Sequence, residues 1–530
     1  MTVPRITRRA GTGFGVVGIL GAAMLTLTAG CRVDEDNVHR WESTERGPVK
    51  LVAVLEHDKY AFPLRTEAAL SLIRMRPRAG RRIGIELLTN ALSEIPEDAR
   101  QQIVDGMTPE FVHQLQAPAP VKASENVIPP DPSIPYKDAA FAMLQHEPPL
   151  VSNEQSKAKL SAALTQWVQT DFETRLENPA QQFGTEQMMR FLGSSSVIGL
   201  PGLITESSTK IDRISGLVAD LGDDATKQKT SEALVALAKR IDSQAWIDKQ
   251  TPMVQDSDTR SNLKVTKDQL TQQVGKFQDQ ELTKVFSAMK RLGGRPVVEY
   301  LIQFATDPRN SAERRKTALA ALEGRVDKSN TADVERIFSI AKDDATPDEV
   351  RDLAFRRLGE LPKEQIIGKF YSLFHDKMWK VRWVAAEKVL GMITPKQVPD
   401  FMNHLPATAA SKMGLSEALA YGGDIGKMDP VGGEPKPRDL LMSYLNSSQI
   451  GPKLSALGYF YGGKKADISV VESKVGDSSP VPKCDKDDDC GWTCDIPKQG
   501  SADKNEKESK TIATVGDFAR YCIEPSMTTP

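Results

Sequence analysis

Residues 315–322 read RKTALAAL, residues 351–358 read RDLAFRRL and residues 382–389 read RWVAAEKV. Each octet opens on an arginine, places alanine three positions later, and sets apolar residues four and seven positions on. Those offsets share one face of a helix, so each octet predicts an amphipathic helix with a small residue at its closest contact. The same spacing recurs in RTEAALSL at 65–72, and in KLSALGYF at 453–460 with Lys453 in place of arginine. A second apolar stripe precedes each of the three consecutive octets: Val298, Leu301, Ile302, Ala305; then Val334, Ile337, Phe338, Ala341; then Ile367, Phe370, Tyr371, Phe374. Short polar turns with Asp307 and Pro308, Asp344 and Pro347, or Asp376 and Lys377 separate the stripes from the octets. The pattern is a helix–turn–helix unit recurring about every 31 to 36 residues. An isolated hairpin cannot cover its own stripe, so such units must stack on one another.

An Asp at the turn and an Arg entering the second helix resemble HEAT-type repeats of the compact bacterial kind, and Asp58 with Arg65, Asp307 with Arg315, Asp344 with Arg351, and Asp376 with Arg382 carry the resemblance. It implies an all-α solenoid in which each Asp–Arg pair has a structural role, tying turn and neighbouring repeats together. It covers 48–76 and 297–392, extends to 439–462, and fades between 136 and 296, where Thr230 stands in the place of the arginine.

Composition divides the chain further. A polar tether is expected over 32–46 and N-terminal repeats over 47–115. A linker over 116–135 carries Pro118, Pro120, Pro129, Pro130, Pro132 and Pro135. Divergent repeats fill 136–296 and clearer ones 297–423. A Gly/Pro-rich loop spans 424–438, and a terminal repeat with a cysteine-containing cap occupies 439–530. Proline at such density opposes helix, and the Lys/Asp/Ser-rich stretch 495–512 is expected to be a flexible loop.

Arg5, Arg8 and Arg9, an uncharged segment 10–30, and small residues before Cys31 form a secretory signal pattern. It resembles a bacterial lipoprotein signal over 1–31, which implies acylation of Cys31 and removal of the peptide before it. Arg32 after the cysteine, where Asp would imply inner-membrane retention, implies an outer-membrane anchor. An uncleaved membrane helix is the alternative reading, opposed by five glycines within residues 11–21. Gly13, Gly15 and Gly18 spell GxGxxG, but no strand precedes them.

Without residues 1–31 the chain has 66 Lys plus Arg against 71 Asp plus Glu, and this mild negative balance argues against nucleic acid as a partner. Cys484, Cys490, Cys494 and Cys522 form an even set which, in an exported protein, reads as two disulfides, with zinc as the alternative. Direct pairing of Cys490 with Cys494 is the least expected connectivity. Asp485, Asp487 and Asp489 begin like a calcium loop, yet Cys490 occupies its glycine position and Ile496 its glutamate position. The six histidines form no HxxxH or HExxH pair, and neither a Walker loop nor a GxSxG elbow is present. His375 and Asp376 sit at a repeat turn and are read as structural. Trp379 and Trp383 are expected to cap the apolar layer, an exposed aromatic patch being the alternative. Arg356 and Arg357 are expected to be solvated, with contact to an acidic partner as the alternative.

The expectation is a non-catalytic lipoprotein of the cell envelope, anchored by Cys31 and facing the periplasm or the cell surface. Its solenoid serves as a scaffold for an unknown envelope protein, with no cofactor and no catalytic residue. The competing readings are an enzyme or enzyme-assisting protein, since some bacterial proteins with similar repeats are chromophore lyases, and an envelope metal-binding protein.

Overall fold

The computed structural model describes residues 33–78, 80–120, 130–261, 264–430, 432–461, 465–483, 493–497 and 507–522. Cys31, Cys484, Cys490, Asp485, Asp487 and Asp489 lie outside the described residues, as does the signal segment. Among the described residues no helix is long and apolar enough to cross a membrane. Among the described residues the fold is all-α but for one hairpin, and the chain divides into two compact units at Leu192 and Gly193.

The first unit contains α1 (Glu35–Trp41), α2 (Gly47–Glu56), α3 (Phe62–Arg74), α4 (Ile83–Glu94), α5 (Glu97–Gln116), α6 (Ile134–Gln145), α7 (Glu154–Thr170), α8 (Phe172–Leu176) and α9 (Thr185–Leu192). Helix α1 occupies the stretch expected to be a tether. Asp34 caps it by accepting from the Asn37 amide at 2.9 Å, and Val38 is fully buried as α1 packs on α2 and α3.

The expected 116–135 linker is corrected in the same way at both ends. Gln116 closes α5, and Pro135 sits in the first turn of α6, where its missing N–H leaves no bond unmade. Arg175 is fully buried and bonds both described ends of this segment: Nη2 donates to Ala117 O at 3.0 Å and Nε to Asp131 at 3.3 Å, while Nη1 donates to Trp167 O at 2.8 Å. Trp167 Nε1 donates in turn to Ser133 Oγ at 2.7 Å. A second buried charge pair, Lys137 and Asp138 at 2.6 Å, holds the chain at Gln182 and Phe183, whose amides donate to Asp138.

The second unit contains α10 (Ile211–Leu221), α11 (Asp224–Ile241), α12 (Gln244–Arg260), α13 (Lys267–Leu292), α14 (Arg295–Thr306), α15 (Ala312–Ala321), α16 (Thr331–Lys342), α17 (Asp348–Leu358), α18 (Lys363–Ser372), α19 (Trp379–Leu390), α20 (Val398–His404), α21 (Leu415–Gly426), α22 (Pro437–Tyr444), α23 (Ile450–Tyr461), α24 (Lys465–Glu472) and α25 (Val515–Tyr521). Helices α14 and α15, α16 and α17, and α18 and α19 are three successive hairpins, and each layer packs on the next through α14–α16, α15–α17 and α17–α19 contacts. The octets form their core: Ala318, Ala354, Ala385 and Ala456 are fully buried, as are Leu319, Leu322, Leu358 and Val389. Each such Leu or Val contributes about 1.5–3 kcal/mol relative to exposure. HEAT-like helical hairpins are thus the architecture of this unit, and α2–α3 repeats it in the first.

Between α13 and α14 the chain reverses through Gly293 and Gly294 at φ 74° and 95°, a region other residues disfavour. Helices α21 and α23 cross so closely that a Cβ on Gly422 would lie 2.0 Å from Ser455 O. At the C-terminal end β1 (Thr493–Pro497) pairs antiparallel with β2 (Lys507–Thr511), and Cys494 is bonded to Cys522 just beyond α25. Strand pairing thus replaces the flexible loop expected over part of 495–512. The disulfide closes a span of 28 residues, worth about 3.5 kcal/mol in the chain-entropy account.

Candidate functional site

The recurring spacing of cations resolves into one device. Arg65, Arg315, Arg351 and Arg382 are all buried, each entering the second helix of a hairpin and folding back over the turn. Arg65 Nε donates to Leu55 O and Arg315 Nε to Ala305 O, both at 2.8 Å. Arg351 Nη2 donates to Thr346 O at 2.7 Å, and Arg382 Nη1 to Asp376 O at 2.6 Å. The acceptors are carbonyls at the end of the first helix or in the turn, which the helix itself leaves without donors. Two of the arginines also tie one repeat to the next: Arg315 Nη2 reaches Thr346 Oγ1 at 3.2 Å, and Arg382 Nη2 reaches Lys412 O at 2.8 Å. Burial lowers the pKa of Arg65 and Arg315.

Among the described residues the turn carboxylates do not form ion pairs with these arginines. Asp58 meets His57, Asp307 meets Arg309, and Asp344 meets Lys377. The aspartates instead brace the turns: Asp307 accepts from the Arg309 amide at 3.0 Å and Asp376 from the Met378 amide at 2.8 Å. In the middle turn Asp343 takes this part rather than Asp344, accepting from the Ala345 amide at 3.2 Å. A short carboxylate bonds its own turn two residues on more readily than it reaches a guanidinium already directed at the helix end. Lys453, the fifth cation, reaches Asp477 Oδ2 at 2.9 Å and Ser479 Oγ at 2.7 Å.

A recess of about 470 Å³ lies where α17, α19 and the start of α21 meet. Trp379 and Trp383 are one helical turn apart on α19 and wall it edge to face, with ring centroids 6.3 Å apart at 87°. Both are half-buried, and Phe355 on α17, wholly buried, forms the floor. The tryptophans therefore neither lie open as a patch nor vanish into the layer. Behind them Arg382 grips Glu417 with two bonds, Nε to Oε2 at 3.0 Å and Nη2 to Oε1 at 2.6 Å. Burial raises the Glu417 pKa, with Arg382 offsetting part of the effect, and pushes the Tyr421 hydroxyl well up beside it. At the mouth Asp348 accepts from Arg351 Nη1 at 3.1 Å and from Lys380 Nζ, and the Lys380 bond lowers its pKa. Lys380 Nζ also lies 5.9 Å over the Trp379 ring. Asp352 lines the recess, is exposed, and has no hydrogen-bond or ion-pair partner among the described residues.

Other expectations resolve differently. Arg357 is buried and pairs with Glu360 at 2.8 Å, its Nε and Nη1 without partners, whereas Arg356 is exposed as expected. His375 ends a 3-10 turn, exposed. Glu35, His39 and Glu67 come within 4.8 Å of one another, a grouping that i,i+4 spacing on α1 explains only in part because Glu67 comes from α3. Arg74 already holds Glu67 and Glu42, which makes this an ion-pair cluster. Glu417 was not readable as part of a site, its only signal being an acid in an apolar helix about one repeat beyond Arg382.

No protein-family model matches the chain, and no curated protein matches it. Among solved structures, a mutant of Kap121p matches at 12% identity and a TM-score of 0.30, over 83% of this chain and 43% of that one. The RNA-binding domain of yeast Puf5p bound to SMX2 RNA matches at 12% identity and 0.28, over 81% and 98%. Human deoxyhypusine hydroxylase matches at 13% and 0.19, over 66% and 96%. The chain thus spans less than half the length of Kap121p.

Proposed function

We propose that this chain is a non-catalytic protein of the cell envelope, acylated at Cys31 and anchored in the outer membrane. Its helical hairpins present a binding surface to another envelope protein. The observation that carries the reading is the recess walled by Trp379 and Trp383, two large aromatics held half-open on a packed helix pair with ordered charges around them. Aromatic side chains in a well-formed pocket ringed by polar groups are where protein interfaces concentrate their affinity. The signal pattern before Cys31 supports the address.

The test is affinity capture from detergent-solubilised envelope with the acylated full chain and with Trp383→Ala. The reading expects a stoichiometric protein partner on the wild type that is lost from the variant. A partner retained equally by both, or none at all, contradicts it. For the anchor, Cys31→Ser is expected to release the chain from the membrane fraction and to abolish the acyl mass on the N-terminal peptide of the mature protein.

A further inference from the structure

We infer that the turn between α2 and α3 lies in the headgroup layer of the membrane that holds Cys31, with Tyr60 and Phe62 set against its apolar boundary. This rests on the acylation of Cys31 proposed above and names the surface that the first hairpin meets. Three observations carry it. A recess of about 1320 Å³ opens beside the turn, and Val33, Tyr60, Phe62, Leu64 and Leu70 supply its apolar walls. Val33 follows Cys31 by two residues, and two residues of extended chain span at most about 7 Å. An acyl group on Cys31 therefore brings the bilayer surface to this wall. The apolar surface is also open: Ala61, Phe62 and Pro63 are exposed in succession and Tyr60 and Leu64 are half-buried, although the same hairpin buries Leu55, Ala68, Ala69 and Leu72 completely. Lys59 completes the turn, its Nζ 4.9 Å over the Tyr60 ring. A long cation of this kind keeps its ammonium among headgroups while its stem covers apolar surface.

Charge does not make this contact. Asp34, Glu35 and Glu67 line the recess with Lys59, and Asp58 adds a further carboxylate on the turn, a negative balance that anionic lipid would not seek. The three in the recess are already engaged: Asp34 accepts from the Asn37 amide, His39 reaches Glu35 and Glu67, and Arg74 holds Glu67. The hydrated headgroup layer leaves such groups wet, while part burial of a phenylalanine and a tyrosine contributes through apolar area. Tyrosine gathers at membrane interfaces because its ring can sit lower than its hydroxyl. An apolar segment of another protein would have to displace a bilayer already within reach of the tether.

The test places the full mature chain, as isolated from the envelope, in vesicles of phosphatidylcholine alone and of phosphatidylcholine with about 30% phosphatidylglycerol. The lipids carry bromine on the acyl chains near the headgroup, which quenches an indole entering the apolar boundary. Phe62→Trp is compared with the wild type, and Met253→Trp, at an exposed methionine of the second unit, is the control. The emission added by Phe62→Trp is expected to fall about twofold or more, equally in both compositions, and that added by Met253→Trp to stay unchanged. Should Phe62→Trp lose its helical circular dichroism, hydrogen exchange of the wild-type peptide 57–66 replaces it: exchange should be severalfold slower on vesicles than for Cys31→Ser in solution. No quenching at position 62, equal quenching at position 253, or quenching only with phosphatidylglycerol overturns the assignment. If the N-terminal peptide bears the acyl mass while Phe62→Trp stays unquenched, the turn assignment fails and the anchor stands. If the acyl mass is missing, the anchor fails and the quenching decides the turn alone.

Discussion

Replacing Arg315 with methionine isolates the arginine tie from the apolar packing around it. Methionine keeps the unbranched stem and a comparable helix propensity, but removes the donation from Nε to Ala305 O at 2.8 Å and from Nη2 to Thr346 Oγ1 at 3.2 Å. Hydrogen bonds from a charged donor are worth about 1.5–3 kcal/mol each, and the abandoned Ala305 carbonyl adds a desolvation cost. Against this, the variant no longer buries a guanidinium, a cost visible in the lowered pKa of Arg315. The balance is a loss of about 3 kcal/mol, or roughly a hundredfold in an opening equilibrium. Hydrogen exchange read by mass spectrometry on peptides from 295–358 measures it locally, without assuming that two units unfold together. Arg309→Ala in the same turn is the control, because that arginine is exposed and bonds Asp307 in water. It should leave protection within about threefold. Equal effects from the two variants would refute the reasoning, since the buried tie would then contribute no more than a surface pair.

Gly422→Ala should destabilise the second unit by about 2–3 kcal/mol or more, because its Cβ would lie 2.0 Å from Ser455 O. Gly423→Ala, with open space at the Cβ position, should be neutral or stabilise by about 1 kcal/mol, and thermal melts compare the two. Arg357→Met should be neutral or stabilise by up to about 1 kcal/mol in urea titrations, since it removes a buried cation with two unpartnered nitrogens; a loss above about 2 kcal/mol would contradict this. Asp348 has a pKa lowered below its ordinary 3.8 by the Lys380 bond. Its contribution is therefore present above pH 3.8 and lost as pH falls through the lower folded value. Exchange protection of α17 and α19 should drop in that acid window by more in the wild type than in Asp348→Asn.

The octets made the hairpins legible because periodicity at i+3, i+4 and i+7 is a local property: Ala318, Ala354 and Ala385 are buried as their spacing demands. Arg65, Arg315, Arg351 and Arg382 open the same octets and were read as structural, but their burial and their acceptors were not legible. Sequence shows a nearby Asp, whereas the guanidinium answers to carbonyls stranded at the end of the preceding helix, positions set by the hairpin's geometry. The divergent segment 136–296 was hardest to read because its core uses charge. Arg175, Lys137 and Asp138 look like solvated residues until strands of chain from 117 to 183 are brought around them. Trp379 and Trp383 were visible as a pair, while Asp352 and Glu417 joined them only through helix packing.

The arginine side-chain N–H resonances of the folded chain test the tie most directly. At pH 8 the Nε–H signals of Arg65 and Arg315 should persist, protected by burial and by their 2.8 Å bonds to Leu55 O and Ala305 O, while that of exposed Arg309 exchanges away. Exchange of all three at the same fast rate would contradict a stack held by buried guanidinium groups.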